Sequence, residues 1–232
     1  MRIVYVVGVL SSCNSGTPTA TDEPPETDDV QMDSGLLDTI TEECTTYHSA
    51  DEDYAPVQTV GDTIPNAGLM MSWAMPTEYV TYAQFSGTVG AGANHEGIDY
   101  IHGDQSVSDV AVFAASSGTV VYVRSGCPQS SMFGHNYDTR ECGSGWGNHV
   151  IIDHGNEIFT RYAHLAPNTI DVLAGDSIQI GEPIASMGNT GRSELRHLHF
   201  ELGSYSGEID PCEASQSFDY VYDAADISEL QP

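Results

Sequence analysis

From about residue 60 onward the chain is a series of short apolar runs broken by glycine and other turn residues. Val110 to Ala115, Thr119 to Val123, Val150 to Asp153 and Ile158 to His164 are rich in β-branched and aromatic side chains, which reads as strand. Ile178 to Ile180, Ile184 to Met187 and His197 to Leu202 follow the same style. Between the runs fall Ser117-Gly118, His154-Gly155-Asn156, Gly175-Asp176, Gly181-Glu182-Pro183 and Gly188-Asn189, all of them turn formers. No stretch between 95 and 205 sustains a 3.6-residue period, so the pattern predicts an all-β fold of many short antiparallel strands. Helix is expected only around Leu36–Glu43, where Ser34 can cap it, and around Asp223–Leu230. The expected organisation is one domain over 65–215, a segment 35–64 packing on it, and a short solvated tail over 216–232.

The first residues read differently. Arg2 precedes an apolar run from Ile3 to Leu10, the pattern of an export signal. The run is too short to span a bilayer, which takes about 20 apolar residues. Leu10-Ser11-Ser12-Cys13 resembles a bacterial lipobox, which implies a signal over 1–13 and a lipid on Cys13. The other reading is a plain secretory signal in which Cys13 is incidental. Residues 14–34 are rich in Thr, Pro, Asp and Glu with almost no large apolar side chain, so they cannot offset the entropy of ordering and read as a flexible tether. Both readings place the protein outside the cytoplasm: in the cell envelope, membrane-anchored, or secreted.

Charge narrows the partners. The 232 residues carry 34 acidic side chains against six basic ones, for a net charge of −28, and every basic residue is Arg. Such a surface repels nucleic acid and anionic headgroups. It suits high salt, where charges are screened within a few ångströms. The absence of lysine also excludes a biotin- or lipoate-carrier role, although Val172, Gly175-Asp176, Ile178, Ile180-Gly181 and Ile184 share the rhythm of such hairpins.

Besides Cys13 there are Cys44, Cys127, Cys142 and Cys212. An even count in an exported chain suggests disulfides, with three pairings possible. Cys127–Cys142 is favoured because both lie in one insertion rich in Gly, Ser and Asn. That leaves Cys44–Cys212. No Cys-x-x-Cys pair supports a cysteine metal site.

The candidate chemistry lies in three stretches: His95 with Asp99, His164, and His197 with His199. Imidazole and carboxylate suit zinc, and three protein ligands with an open position make a catalytic rather than a structural site. His197 and His199 are two apart in a strand-like run and share a face, with Leu198 and Phe200 turned to the core. By the same alternation Thr160, Tyr162 and His164 share one face. His95 and Asp99 are four apart, and Gly97 between them argues against helix. Taken alone, each stretch also fits surface or structural histidines. His48, His102, His135 and His149 read as non-ligands, and His154 as a turn residue. Glu201 or Asp153 can orient a ligand imidazole from behind.

Together, His95-Glu-Gly-Ile-Asp99, Gly147-Asn-His-Val-Ile-Ile-Asp-His-Gly155, Arg161-Tyr-Ala-His-Leu165, Gly188-Asn-Thr-Gly191 and His197-Leu-His-Phe-Glu201 resemble, in order, the lysostaphin- and LytM-type zinc metallopeptidases of the M23 family. The resemblance covers roughly residues 65–210. It implies a small antiparallel sheet with a long groove, a β-roll resembling a barrel-sandwich hybrid, and a monomer. It further implies one zinc ion held by His95, Asp99 and His199, with His164 and His197 as the catalytic imidazoles. The implied substrate is the peptide of peptidoglycan. Relatives that lack ligands act as regulators instead, so an amidase activator or a wall-binding lipoprotein is the rival reading, and a secreted zinc protease acting on proteins another. The chain departs from the family at Ser193-Glu194-Leu195-Arg196, where a Thr-Gly-Pro-like stretch is usual, so a charged Arg196 is expected beside the site. The insertion Ser125 to Trp146 is longer than usual and is expected to form a groove wall.

Overall fold

The computed structural model describes residues 57–137 and 139–232. The expected signal, the lipidation position Cys13, the tether, the helix at Leu36–Glu43, His48 and Cys44 all lie outside the described residues.

The predicted all-β architecture is what the chain adopts. Eleven strands follow in order: β1 (Thr59–Val60), β2 (Val80–Ala83), β3 (Ile98–Ile101), β4 (Ala111–Phe113), β5 (Gly118–Arg124), β6 (Asn148–Asp153), β7 (Ile158–Leu165), β8 (Ser177–Ile178), β9 (Pro183–Ser186), β10 (Leu198–Ser204) and β11 (Tyr220–Tyr222). The one α-helical turn among the described residues is α1 (Asn66–Leu69). Nine strands form one sheet in the order β1-β11-β10-β7-β6-β5-β8, with β3 also on β10 and β2 on β3; β4 and β9 pair separately. One edge of β10 is shared. Leu198–Phe200 pair with β3, whereas Leu202–Ser204 pair with β11. The other edge pairs along its length with β7.

Alternation sorts the two faces. Leu198, Phe200 and Leu202 of β10, Ile158 and Tyr162 of β7, and Val150 and Ile152 of β6 enter the main core. Val112, Ile184 and Trp73 cover them from outside the large sheet. His199 and Glu201 of β10 and Arg161 of β7 therefore point the other way, onto the face that carries the candidate site. A second cluster, including Tyr122, Ile151, Phe159 and Phe218, packs on that face.

Two expectations at the C-terminus fail. Asp223–Leu230 is not an α-helix but two 3₁₀ turns, Ala224–Asp226 capped by Asp223 and Ser228–Leu230. Nor is 216–232 a solvated tail. Val221, Ala224, Ile227 and Leu230 are buried, and the Leu230 and Gln231 carbonyls accept hydrogen bonds from Tyr100 and Tyr79 at 2.8 Å each. The spaced apolar residues Ala224, Ile227 and Leu230 seal one end of the core. Among the described residues no helix is long and apolar enough to cross a membrane.

The expected Cys127–Cys142 disulfide is present, closing the insertion with a Cα–Cα distance of 5.7 Å. Cys212 is also disulfide-bonded.

Candidate metal centre and groove

The five residues singled out by sequence line one groove of about 520 Å³, and strand pairing explains why. Asp99 of β3 lies directly opposite His199 of β10, which lies opposite Ala163 of β7. His95 sits just ahead of β3, bridged to Ser86. His197 sits just ahead of β10, bridged to Gly188.

His164 reaches the site by a different route from the one its alternation predicts. Regular alternation would place it with Thr160 and Tyr162, whose hydroxyls bond each other at 3.1 Å on the core side. The register between β6 and β7 slips by one residue here, from Val150↔Tyr162 to Asn148↔Leu165. His164 takes a left-handed φ of 59°, the signature of a β-bulge, and this turns its ring to the opposite face. A non-glycine residue there is strained, by about 1–3 kcal/mol. Its amide bonds the Trp146 carbonyl at 2.8 Å, which helps hold the conformation.

The front nitrogens converge. His95 Nε2 lies 3.2 Å and His199 Nδ1 2.9 Å from Asp99 Oδ1. His95, Asp99 and His199 form a group able to hold a metal ion. Tetrahedral zinc with bonds near 2.05 Å spaces its ligand atoms about 3.3 Å apart, so the donor set fits with small adjustment. The rear nitrogens support the same assignment. His95 Nδ1 donates to the Gln84 carbonyl at 2.8 Å, and His199 Nε2 donates to Glu201 Oε1 at 3.2 Å. Each rear proton thus has an acceptor of its own, so a metal ion can replace the front proton of either ring without turning the ring. Of the two carboxylates expected behind a ligand, Glu201 fills the role. Asp153 instead accepts from the Gly155 amide in a turn.

His164 and His197 are also fixed, as neutral rings. His164 Nδ1 donates to the Thr190 carbonyl and His197 Nδ1 to the Leu195 carbonyl, each at 2.8 Å. Both therefore present Nε2 as an acceptor, with ring centroids 4.7 Å apart. Burial, and then the neighbouring histidines, push the His164 pKa well below 6.5. Burial likewise lowers His197, against the pull of Asp99. His199 differs. Burial opposes its charge, but hydrogen bonds to Asp99 and Glu201 outweigh burial and raise its pKa to about 10. Asp99 is buried too, yet bonds from His199 and His95 hold its carboxyl well below the usual range.

Gly147 and Gly191 both have left-handed φ, 68° each, and a Cβ on Gly191 would lie 2.3 Å from the Gly147 amide nitrogen. Their close approach seats Thr190 behind His164.

Arg196 does not border the groove, contrary to expectation. Its side chain is buried and donates to the Val107 and Asp104 carbonyls on the far side, which ties down the 102–107 loop. The insertion does contribute a wall, through Arg140, Ser144, Gly145 and Trp146. His102, His135, His149 and His154 stand apart from the converging set. His102 pairs with Glu78, and His135 with Glu194. His149 bonds the Gly147 carbonyl, and His154 bridges Ser117 and Thr160 in its turn. Sequence reasoning missed Trp146, whose Nε1 donates to Glu201 Oε1 at 2.5 Å, and Gln58, whose Nε2 donates to Oε2 at 3.0 Å. Nothing local in the sequence marks Gln58; a buried carboxylate simply needs donors from somewhere.

The profile of Peptidase family M23 matches residues 93–211. The murein hydrolase activator NlpD of Salmonella dublin is 30% identical over 165 residues, covering 68% of this chain and 37% of that protein. The chain thus spans little more than a third of that relative's length. Peptidoglycan DD-endopeptidase ShyA of Vibrio cholerae is 48% identical over 56 residues, 24% of this chain and 13% of that protein. The crystal structure of a zinc containing peptidase from Vibrio cholerae aligns at a TM-score of 0.43 and 24% identity, over 63% of this chain and 41% of that one.

Proposed function

The chain belongs to peptidase family M23, and from that premise we propose that it is a zinc-dependent endopeptidase hydrolysing peptide bonds in the cross-links or stem peptides of peptidoglycan. The observation that carries the reading is the complete, pre-oriented set: three side chains whose free donor atoms converge, and two neutral imidazoles beside them. His95 Nε2, Asp99 Oδ1 and His199 Nδ1 would hold one zinc ion. Zinc held there would supply Lewis acidity, to polarise the scissile carbonyl and make water nucleophilic at neutral pH.

The protein's own part is proton traffic and placement. His164 and His197 each offer an unprotonated Nε2 to the groove, backed by a carbonyl on Nδ1. One takes the proton of the attacking water and passes it to the departing amine. The other takes a proton from groove water as negative charge develops beside it, and its Nε2–H then donates to the oxyanion of the tetrahedral intermediate. Glu201 stays ionised: burial opposes this, but Arg161 and the bond from His199 hold its pKa down. The anion keeps the His199 ring from rotating. The location we infer is the bacterial cell envelope, reached by export and retained through a lipid on Cys13.

The relative named as a murein hydrolase activator favours a second reading, in which the same groove binds the wall or a partner hydrolase without turnover. A digest of purified peptidoglycan by the chain from Asn14 onward separates the two. Fragments seen by mass spectrometry that vanish with chelator and return with zinc support the endopeptidase, and their masses name the bond. No fragments from zinc-loaded protein, with stimulated release by an added amidase, would replace it with the activator.

A further inference from the structure

Glu201 has no access to solvent and four donors. Trp146 Nε1 and His199 Nε2 share Oε1, while Arg161 and Gln58 Nε2 share Oε2 at 3.1 and 3.0 Å. Three of these donors lie within the family-matched residues 93–211. Gln58 lies well before them, immediately ahead of β1, and is 3% exposed. Its side-chain oxygen accepts from the Phe218 amide at 2.7 Å. That bond sets the orientation of the side-chain amide. Turned over, the amide would set its NH₂ against the Phe218 N–H and its oxygen against the Glu201 carboxylate. The backbone carbonyl of Gln58 accepts from the Ala93 amide at 2.8 Å, two residues ahead of His95. The following strand continues the brace: Thr59 bridges Gly92, and the Val60 amide bonds the Ala91 carbonyl at 2.8 Å.

We propose that Gln58 is a positioning residue of the metal centre, clamping the loop that carries His95 to the carboxylate that orients His199. The strand outside the matched region thereby completes the site. The inference rests on the zinc reading above. Without the Gln58 amide, Glu201 loses one of its two Oε2 donors and the Phe218 N–H loses its acceptor, both in a site closed to water. Glutamate has three rotatable side-chain bonds, and a carboxylate held at Oε2 by Arg161 alone is less firmly oriented and carries His199 with it. Loss of an outer-shell partner of this kind lowers metal affinity by about 10–100-fold.

The test is zinc affinity of the full chain, by competition with a chromogenic chelator at 25 °C, for wild type, Gln58→Met, Gln58→Asn and the core control Val112→Ala. Circular dichroism of the metal-free proteins establishes folding. The expected result is a loss of about tenfold or more for both Gln58 variants and none for the control, although all three melt lower. A folded Gln58→Met protein that bound zinc as wild type does would overturn the proposal, and Gln58→Asn decides in the same way if the Met variant does not fold. A wild-type chain that bound no zinc would instead overturn the zinc reading and this inference with it.

Discussion

Arg161 and Glu201 form an ion pair at 3.1 Å with both side chains fully buried, and breaking it should be costly in a way that depends on which half is removed. In Glu201→Gln, one end of the new amide is NH₂. Whichever way it turns, that NH₂ faces two N–H donors: Trp146 and His199, or Arg161 and Gln58. The Arg161 guanidinium is left buried with the Gln216 carbonyl and the faces of Trp146, 3.5 Å from its centroid, and Phe218. An uncompensated buried charge costs about 3–5 kcal/mol, and the donor clash about 1–3 more. Arg161→Met leaves Glu201 with three donors and should cost less, about 3 kcal/mol. At about 2–4 °C per kcal/mol for a chain of this size, even that loss lowers the melting temperature by roughly 6–12 °C. Urea unfolding of the two single variants and the double variant, at constant m, measures the coupling. The double variant should be more stable than the sum of the singles predicts by at least about 1–3 kcal/mol. Additivity to within about 0.5 kcal/mol would show that the pair does not act as a unit and refute this account.

Four further outcomes are expected. Gly97→Ala places a Cβ 2.4 Å from the Phe200 carbonyl oxygen and 3.0 Å from the His199 ring, so turnover of peptidoglycan should fall about a hundredfold with the fold retained by circular dichroism; wild-type turnover would refute the close approach. His164→Ala and His197→Ala should keep stoichiometric zinc by atomic absorption while losing about 10²–10⁴ in turnover; loss of zinc would make them ligands instead. In chelator, stability should depend on pH at both ends. The raised His199 pKa contributes stability present below about 6.5 and lost as pH rises towards 10, whereas the Glu201 carboxyl, held down to about 2 from 4.5, contributes stability lost as pH falls below 4.5. A flat urea midpoint between pH 7 and 10, or a slope that survives in His199→Gln, would contradict the first assignment. Replacing Cys127 and Cys142 by alanine opens a loop with a sequence separation of 15 and should cost about 3 kcal/mol in urea unfolding; a loss under about 1 kcal/mol would mean that the insertion is held mainly by its contacts to 188–196.

The site was legible where its residues obey alternation. His197 and His199 face the groove because Leu198 and Phe200 are buried on the other side. His164 was identified, but its orientation was not readable, since a bulge reverses the face and the slipped register depends on the pairing of β6 with β7. Arg196 looked like a groove residue from its place in the chain. The turn before β10 sends it to the 102–107 loop instead. The short strands β1, β2 and β11 carried too few residues for a period-two pattern to show. Polar residues such as Gln58 and Arg161 owe their burial to partners that are distant in sequence, so composition near them says nothing of it.

The parallel pairing of Thr59–Val60 with Tyr220–Val221 joins segments about 160 residues apart in the chain. Closing a loop of that length costs about 3 kcal/mol more entropy than closing a four-residue turn. Docking of β1 on β11 is therefore expected to follow formation of the hairpins between them. Gln58 arrives with β1, and Phe218, which fixes its amide, arrives only just before β11. A chain whose central hairpins have formed can thus hold its groove side chains together before the clamp behind them closes. On the proposals above, the seating of this edge strand and the tightening of the metal centre become the same event.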